Sequence, residues 1–146
     1  MRLFLDTSVL LAACGSAKGA SREIFRLATV NQWTLVATPY VLTEVERNLP
    51  DLPPSAGAGW SGLQAELLVM NDVLTVDQLA VFDVPKDRPI LFSALAWADV
   101  LLTLDRADFG KLLGTAFYNL AILAPGHFLH RERDAGRLRE NRPALE

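Results

Sequence analysis

Short runs of consecutive apolar residues, each followed by a segment with helical periodicity, recur along this 146-residue chain. The first run, "LFL" at residues 3–5, is apolar on both faces of the predicted strand, residues 2–5. Such a strand is typical of a parallel sheet that helices cover on both sides. Because predicted strands and helices alternate, we expect an α/β fold, a three-layer sandwich with a central, mostly parallel sheet.

The remaining elements follow from periodicity and helix-capping residues. The predicted strands are residues 2–5, 33–37, 73–76, 99–103 and 119–123. The predicted helices are residues 8–14, 21–30, 38–49 and 61–70, and a helix over 88–98 that Asp87 caps. Residues 50–60, which contain prolines and glycines, are predicted to be a loop, and residues 77–82 are ambiguous. We expect one domain over residues 1–130 and a charged C-terminal tail over residues 131–146.

Acidic residues stand where two predicted strands end. Asp6 follows the first strand directly, and Asp105 lies two residues beyond the strand at 99–103. Ligands of open α/β sheets bind beyond the carboxyl ends of the strands, and Asp87 and Glu44 can reach the same edge. Several carboxylates in one crevice repel each other unless a cation neutralises them. Oxygen ligands without histidine or cysteine suit Mg²⁺ or Mn²⁺, which can activate water for phosphate chemistry.

Three stretches, "LFLDTSVLLAA", "TEVERNL" and "KDRPILFSALAWADVLLTLDRADF", resemble the PIN-domain nuclease family in sequence and spacing. That family includes the VapC-like toxins of bacterial toxin–antitoxin pairs. The resemblance, over roughly residues 1–125, implies a PIN-like sandwich and a metal-dependent endoribonuclease, a hydrolase that cleaves single-stranded RNA with metal-activated water. It also implies an antitoxin protein as a possible partner and a possible homodimer.

The resemblance also assigns roles to residues of this chain. The four catalytic acids of the family fall on Asp6, Glu44, Asp87 and Asp105, of which Asp6, Asp87 and Asp105 are the expected ligands of Mg²⁺ or Mn²⁺. Three further residues are expected to support the site: Ser8, Thr103 and Asp108.

Each acid also has a plain structural interpretation. Asp6 and Asp87 can be helix caps, and Asp105 can be a turn residue. The apolar stripe of its helix does not distinguish Glu44 from Glu46, and only the resemblance favours Glu44. A catalytically inactive PIN-like module that binds or regulates is therefore the alternative function.

Composition restricts where the chain acts. Its single cysteine, Cys14, forms no intramolecular disulfide, so a reducing, cytoplasmic compartment is the simplest expectation. No apolar run approaches the roughly 20 residues that span a bilayer, so we expect no membrane contact. The segment "LLAACGS" resembles a lipoprotein signal, but residues 6–8 interrupt the apolar run that a signal needs.

Other candidates are weaker. His127 and His130 have a zinc-compatible spacing without a third ligand, and Trp33 and Trp60 are candidate base-stacking surfaces. Phosphatases of the haloacid-dehalogenase type are disfavoured, because they need an acid where this chain has Ser8. A receiver-like signalling domain is disfavoured as well, because it needs a lysine after its last strand and this chain has none there. The candidate phosphate contacts are the basic residues Lys18, Arg22, Lys86, Arg88, Arg106 and Lys111.

Overall fold

A computed structural model of the chain describes residues 1–74, 88–110 and 112–140. Within these residues, six strands form one sheet in the order β3-β2-β1-β4-β6-β5. Five of the strands run parallel, and only the edge strand β5 is antiparallel to its neighbour β6. The strands are β1 (Arg2–Leu5), β2 (Thr34–Ala37), β3 (Leu68–Val69), β4 (Val100–Leu102), β5 (Ala116–Phe117) and β6 (Leu120–Leu123).

Helices connect the parallel strands and pack on the sheet, so the expected α/β sandwich is confirmed. The described helices are α1 (Thr7–Gly15), α2 (Ala20–Asn31), α3 (Pro39–Asn48), α4 (Ser55–Gln64), α5 (Arg88–Trp97), α6 (Arg106–Phe109) and α7 (Pro125–Asp134), with a 3₁₀ turn at Leu49–Asp51. No helix in the described ranges is long and apolar enough to cross a membrane.

The direction of chain progression changes between β1 and β4. From β1 the chain adds β2 and then β3 on one side, whereas β4 lies on the other side of β1 and continues to β6. Leu3 of β1 pairs with both Leu35 of β2 and Val100 of β4. A crevice for ligands forms beyond the strand ends at such a switch point. The two segments that leave the sheet there begin at Asp6 and Thr103.

The core consists of the apolar residues that predicted the strands. Leu3, Phe4 and Leu5 of β1 have no exposed surface, and neither do Leu101 and Leu102 of β4. Burying each such side chain contributes roughly 1.5–3 kcal/mol, so the central strands are held firmly against the helices. A rigid pair of strands therefore carries the segments that lead into the crevice.

The structure corrects the prediction for residues 50–70. A helix, α4, begins at Ser55 inside the expected loop, and the expected helix at 61–70 ends at Gln64 and gives way to β3. Ala56, Trp60 and Leu63 are buried at helical spacing, and α4 packs against α1. Tertiary packing thus overrides the low helix propensity of the glycines.

Two further predictions differ from the structure in part. Val73 and Leu74 form no strand, and the rest of the expected strand at 73–76 lies outside the described residues, as do residues 77–82. The expected boundary at residue 130 falls inside α7, which continues to Asp134. The residues after α7 still contact the domain. The Asn31 side chain donates to the Arg139 carbonyl and accepts from the Arg139 N–H.

Candidate functional site

Asp6 lies at the point where β1 ends and α1 begins. Its backbone N–H donates to the Leu102 carbonyl at 3.0 Å, so the residue is still fixed to β4. Its extended backbone and its side chain cap the first turn of α1. The side chain is only 4% exposed, which is unusual for an aspartate. Asp6 therefore caps α1, and its carboxylate lies at the edge of the sheet where the site is expected.

Three donors hold the Asp6 carboxylate. The Thr7 N–H donates to Oδ1 at 2.8 Å, and the hydroxyl groups of Ser8 and Thr103 donate to Oδ2 at 2.8 and 2.7 Å. Thr103 has no exposed surface, and it reaches Asp6 from the end of β4. The carboxylate is thus held in one orientation from both sides of the switch point.

The electrostatic balance at Asp6 disfavours its charge. Burial raises the pKa of the Asp6 carboxyl above its ordinary value, and the three hydrogen bonds only partly oppose this effect. The negative charge of Asp105 also raises the pKa of Asp6, by less than burial does. No Lys, Arg or His among the described residues forms an ion pair with Asp6. Among the described residues, hydrogen-bond donors alone oppose the effect of burial on this carboxyl group.

Ser8 and Thr103 also connect the two turns at the switch point. The Leu104 N–H donates to Ser8 Oγ at 3.0 Å, and the Asp105 N–H donates to Thr103 Oγ1 at 3.0 Å. Each hydroxyl therefore donates to Asp6 and accepts from the backbone of residues 104 or 105. This network fixes the backbone of half-buried Asp105 relative to Asp6.

Glu44 joins the site from a different crossover connection. It lies on α3, which packs against α1, and its Oε1 accepts a hydrogen bond from Thr7 Oγ1 at 3.1 Å. Glu46 is exposed, whereas Glu44 is half-buried. The structure therefore places Glu44, and not Glu46, beside the first turn of α1. Helical periodicity alone did not distinguish the two residues.

One expected metal ligand and one expected supporting side chain lie outside the described part of the chain. Asp87 lies outside the described residues, and so does the side chain of Asp108, whose backbone belongs to α6. Within the described ranges, no three His, Cys, Asp or Glu side chains form a group that could hold a metal ion. Asp6, Glu44 and Asp105 surround the edge without forming a complete set of ligands by themselves.

The weaker candidates have other surroundings. His127 and His130 are exposed on α7, and the described residues provide no metal-binding group there. Trp33 is buried in an edge-to-face contact with Phe128, at a ring-centroid distance of 5.0 Å. Trp60 is buried in the interface of α4. Neither tryptophan offers a stacking surface, so both have packing roles.

The basic candidates are dispersed. Arg106 is exposed directly after Asp105, which leaves it beside the site. Arg22 donates twice to the Ala13 carbonyl, so it caps the end of α1 instead. Lys18 is exposed at the far end of that helix, while Lys86, Lys111 and the side chain of Arg88 lie outside the described part of the chain.

Sequence reasoning did not assign a role to Thr7. This residue is 9% exposed and contacts Asp6 through its backbone and Glu44 through its side chain. Its position at the first turn of the helix after Asp6 was visible in the sequence. The contact with Glu44 was not, because it joins residues 37 positions apart.

The fold and this edge define a class of protein: an α/β sandwich with acidic side chains gathered at the switch point of a parallel sheet. The sequence model of the PIN domain matches residues 2–107. The chain therefore belongs to the PIN-domain family, whose members are nucleases, hydrolases of phosphodiester bonds. None of the curated proteins compared with the chain matches it.

Solved structures have the same fold. One is a chain of the crystal structure of VapBC2 from Rickettsia felis, in which VapBC2 is bound to a DNA fragment from its own promoter. It is 15% identical to this chain, with a TM-score of 0.59, and the match covers 84% of this chain and 97% of the other. At this level of identity the likeness concerns the fold, and the family assignment comes from the PIN-domain match.

Proposed function

We propose that this chain is a metal-dependent endoribonuclease that cleaves single-stranded RNA, and that it is the toxin of a toxin–antitoxin pair. One observation carries the catalytic part of the proposal. A buried carboxylate, Asp6, is fixed by three donors at the switch point, where Asp105 raises its pKa, Glu44 is linked to it through Thr7, and no described cationic side chain pairs with it. A domain that needed only a helix cap would have no reason to add the two other acids.

The donor set fits a hard divalent cation. Carboxylate and hydroxyl oxygens surround the edge, and no histidine or cysteine is among them, which favours Mg²⁺ or Mn²⁺ over zinc. Asp6 and Asp105 would hold the ion, together with Asp87. A divalent cation bound here would polarise a phosphoryl oxygen and lower the pKa of a water molecule.

The residues of the chain would divide the remaining work. Asp6 and Asp105 would supply the negative charge. The Ser8 and Thr103 hydroxyl groups donate to the Asp6 carboxylate, and Thr103 Oγ1 accepts from the Asp105 N–H and so fixes the backbone of Asp105. Glu44 would orient the attacking water and accept its proton at the carboxylate. Exposed Arg106, next to Asp105, would contact a phosphate of the RNA.

The partner proposal has separate support. The VapBC2 structure from Rickettsia felis, named for two components, shares the fold and was determined on promoter DNA. We therefore propose that a cognate antitoxin protein binds this chain, and that the chain acts in the cytoplasm, where RNA is accessible. We also propose that the chain forms a homodimer, and light scattering of the purified chain would measure its molar mass in solution.

A cleavage assay with purified variants tests the catalytic proposal. Labelled single-stranded RNA is incubated with the chain and Mn²⁺, Mg²⁺ or EDTA, with double-stranded RNA and single-stranded DNA as further substrates. We expect cleavage of single-stranded RNA only with metal, and loss of it in Asp6→Asn, Asp105→Asn and Glu44→Gln. The matched control is Glu46→Gln, which removes an exposed charge from the same helix and leaves the activity intact.

The alternative, an inactive PIN-like binding module, gives a different result. Metal that binds the folded chain raises its melting temperature by mass action. Absence of cleavage together with no Mn²⁺-dependent thermal shift would reject the nuclease and favour the module. Cleavage that persists in EDTA and in Asp6→Asn would indicate a contaminant and would equally reject the proposed mechanism.

A further inference from the structure

Thr7 contacts two of the acids with two different groups. Its backbone N–H donates to Asp6 Oδ1 at 2.8 Å, and its hydroxyl donates to Glu44 Oε1 at 3.1 Å. The side chain is 9% exposed, so the hydroxyl is largely withdrawn from water. In the described part of the chain, Thr7 is the residue that joins Asp6 to Glu44 directly.

The contact joins two helices. Thr7 lies on α1 and Glu44 on α3, which packs against α1. A glutamate side chain has several rotatable bonds, and a hydrogen bond to its carboxylate restricts them. A hydrogen bond from a nearly buried hydroxyl to a carboxylate is stronger than one between neutral groups. The Thr7 hydroxyl therefore restricts which rotamers the Glu44 carboxylate adopts.

The first turn of α1 is a suitable reference for this alignment. Asp6 caps the helix and Thr7 is its first residue, so both carboxylates approach the end of α1 that carries a partial positive charge. The packing of α1 against α3 holds the two helices together. A shift of Glu44 relative to Asp6 would break the hydrogen bond to Thr7.

We propose that Thr7 is a positioning residue that sets the Glu44 carboxylate relative to Asp6 for phosphodiester cleavage. The inference rests on the proposed nuclease function and deepens it. Thr7 acts through Glu44 and takes no part in binding the metal. Removal of the hydroxyl should therefore affect the rate of the reaction and leave the affinity for metal unchanged.

The test compares Thr7→Val with the wild-type chain in the RNA cleavage assay. Valine keeps the shape and the backbone N–H that donates to Asp6, but it lacks the hydroxyl. We expect kcat to fall by about 10-fold to 100-fold, the range that corresponds to the loss of one hydrogen bond to a charged group, with little change in KM. Thr7→Ser restores the hydroxyl and should recover most of the rate.

Two measurements separate positioning from a general structural role. The midpoint of a Mn²⁺ titration, followed by thermal shift, should be the same in Thr7→Val and the wild type, whereas a loosened α1 would weaken metal binding as well. In Glu44→Gln, the added Thr7→Val substitution should cause no further loss, because Thr7 then has no carboxylate to position. Thr43→Val, an exposed hydroxyl beside Glu44 on the same helix, is the matched control and should be unchanged.

Failure of the inference is distinct from failure of the proposed function. Wild-type rates in Thr7→Val, alongside loss of cleavage in Glu44→Gln, would overturn the role of Thr7 and leave the nuclease intact. An equal loss of rate and of Mn²⁺ affinity in Thr7→Val would also overturn it, in favour of a structural role. Cleavage that depends on neither metal nor Glu44 would reject the function itself, and the inference with it.

Discussion

Replacing Thr103 by valine tests whether the hydroxyl network holds the site together. Thr103 has no exposed surface, and valine has nearly the same shape, so the substitution removes a hydroxyl without leaving a large cavity. Two hydrogen bonds disappear: the 2.7 Å bond that Thr103 donates to Asp6 Oδ2, and the 3.0 Å bond that it accepts from the Asp105 N–H. The groups left behind, the Asp6 carboxylate and the Asp105 N–H, lie just beyond the ends of β1 and β4.

The size of the effect follows from those two bonds. A hydrogen bond to a charged group contributes about 1.5–3 kcal/mol and a neutral one about 0.5–1.5 kcal/mol, so their joint loss costs about 2–4.5 kcal/mol. For a domain of this length, that loss lowers the melting temperature by about 5–15 °C. We also expect reduced RNA cleavage, since the Asp105 backbone loses its link to Asp6.

Thr38→Val is the matched control for this prediction. Thr38 follows β2, has no exposed surface, and its hydroxyl finds no hydrogen-bond partner in the part of the chain that the structure describes. Because a buried hydroxyl without a partner is unfavourable, its removal should be neutral or stabilising. Thermal and urea unfolding at pH 7.5 in EDTA measure both variants. Equal stability of Thr103→Val and Thr38→Val would refute the reasoning.

Three more predictions concern stability. Burial raises the pKa of Asp6 in the folded state, so the stability that this group contributes is fully present below the unfolded pKa of about 3.9 and is lost as pH rises through the folded value. In EDTA, the melting temperature of Asp6→Asn relative to the wild type should therefore rise with pH, and an unchanged difference from about pH 4 to 8 would contradict this. Arg137→Met should lower the melting temperature, because buried Glu132 then loses two 2.9 Å hydrogen bonds, while Arg133→Met at an exposed pair should not; equal melting temperatures would argue against it. Gly62→Ala, in α4 with open space at the added Cβ, should stabilise the chain by about 0.5–1 kcal/mol in urea unfolding, and a loss would show that the site is covered.

The fold was predictable where the local pattern and the packing agree. β1 is apolar on both faces and fully buried from Leu3 to Leu5, and the predicted strand matches it. Residues 50–70 were not predictable in the same way, because the glycines of α4 argue against a helix. Ala56, Trp60 and Leu63 lie at helical spacing and are buried, but the prolines and glycines of residues 50–60 predict a loop. The two-residue strand β3 is too short for any period to reveal.

Only part of the candidate site, like part of the fold, could be predicted from the sequence. Asp6 and Asp105 could be placed from sequence, because each follows a strand and parallel strands end at a common edge. Glu44 could not be separated from Glu46, because its helix is amphipathic and both residues flank the apolar stripe. What separates them is the contact with Thr7, which depends on how α3 packs against α1. No local pattern contains that information.

The buried charge of Asp6 connects stability with function in this domain. Burial and the nearby Asp105 both oppose ionisation of Asp6, whereas Thr7, Ser8 and Thr103 each donate a hydrogen bond that favours it. If the carboxylate were only a helix cap, an exposed aspartate or a serine would serve at lower cost. The surrounding donors instead keep a charged group in one orientation where its charge is unfavourable, so binding of a cation would relieve the repulsion and stabilise the fold. Metal affinity would then come from the same buried charge that opposes folding at neutral pH, so Asp6→Asn should remove any Mn²⁺-dependent rise in melting temperature.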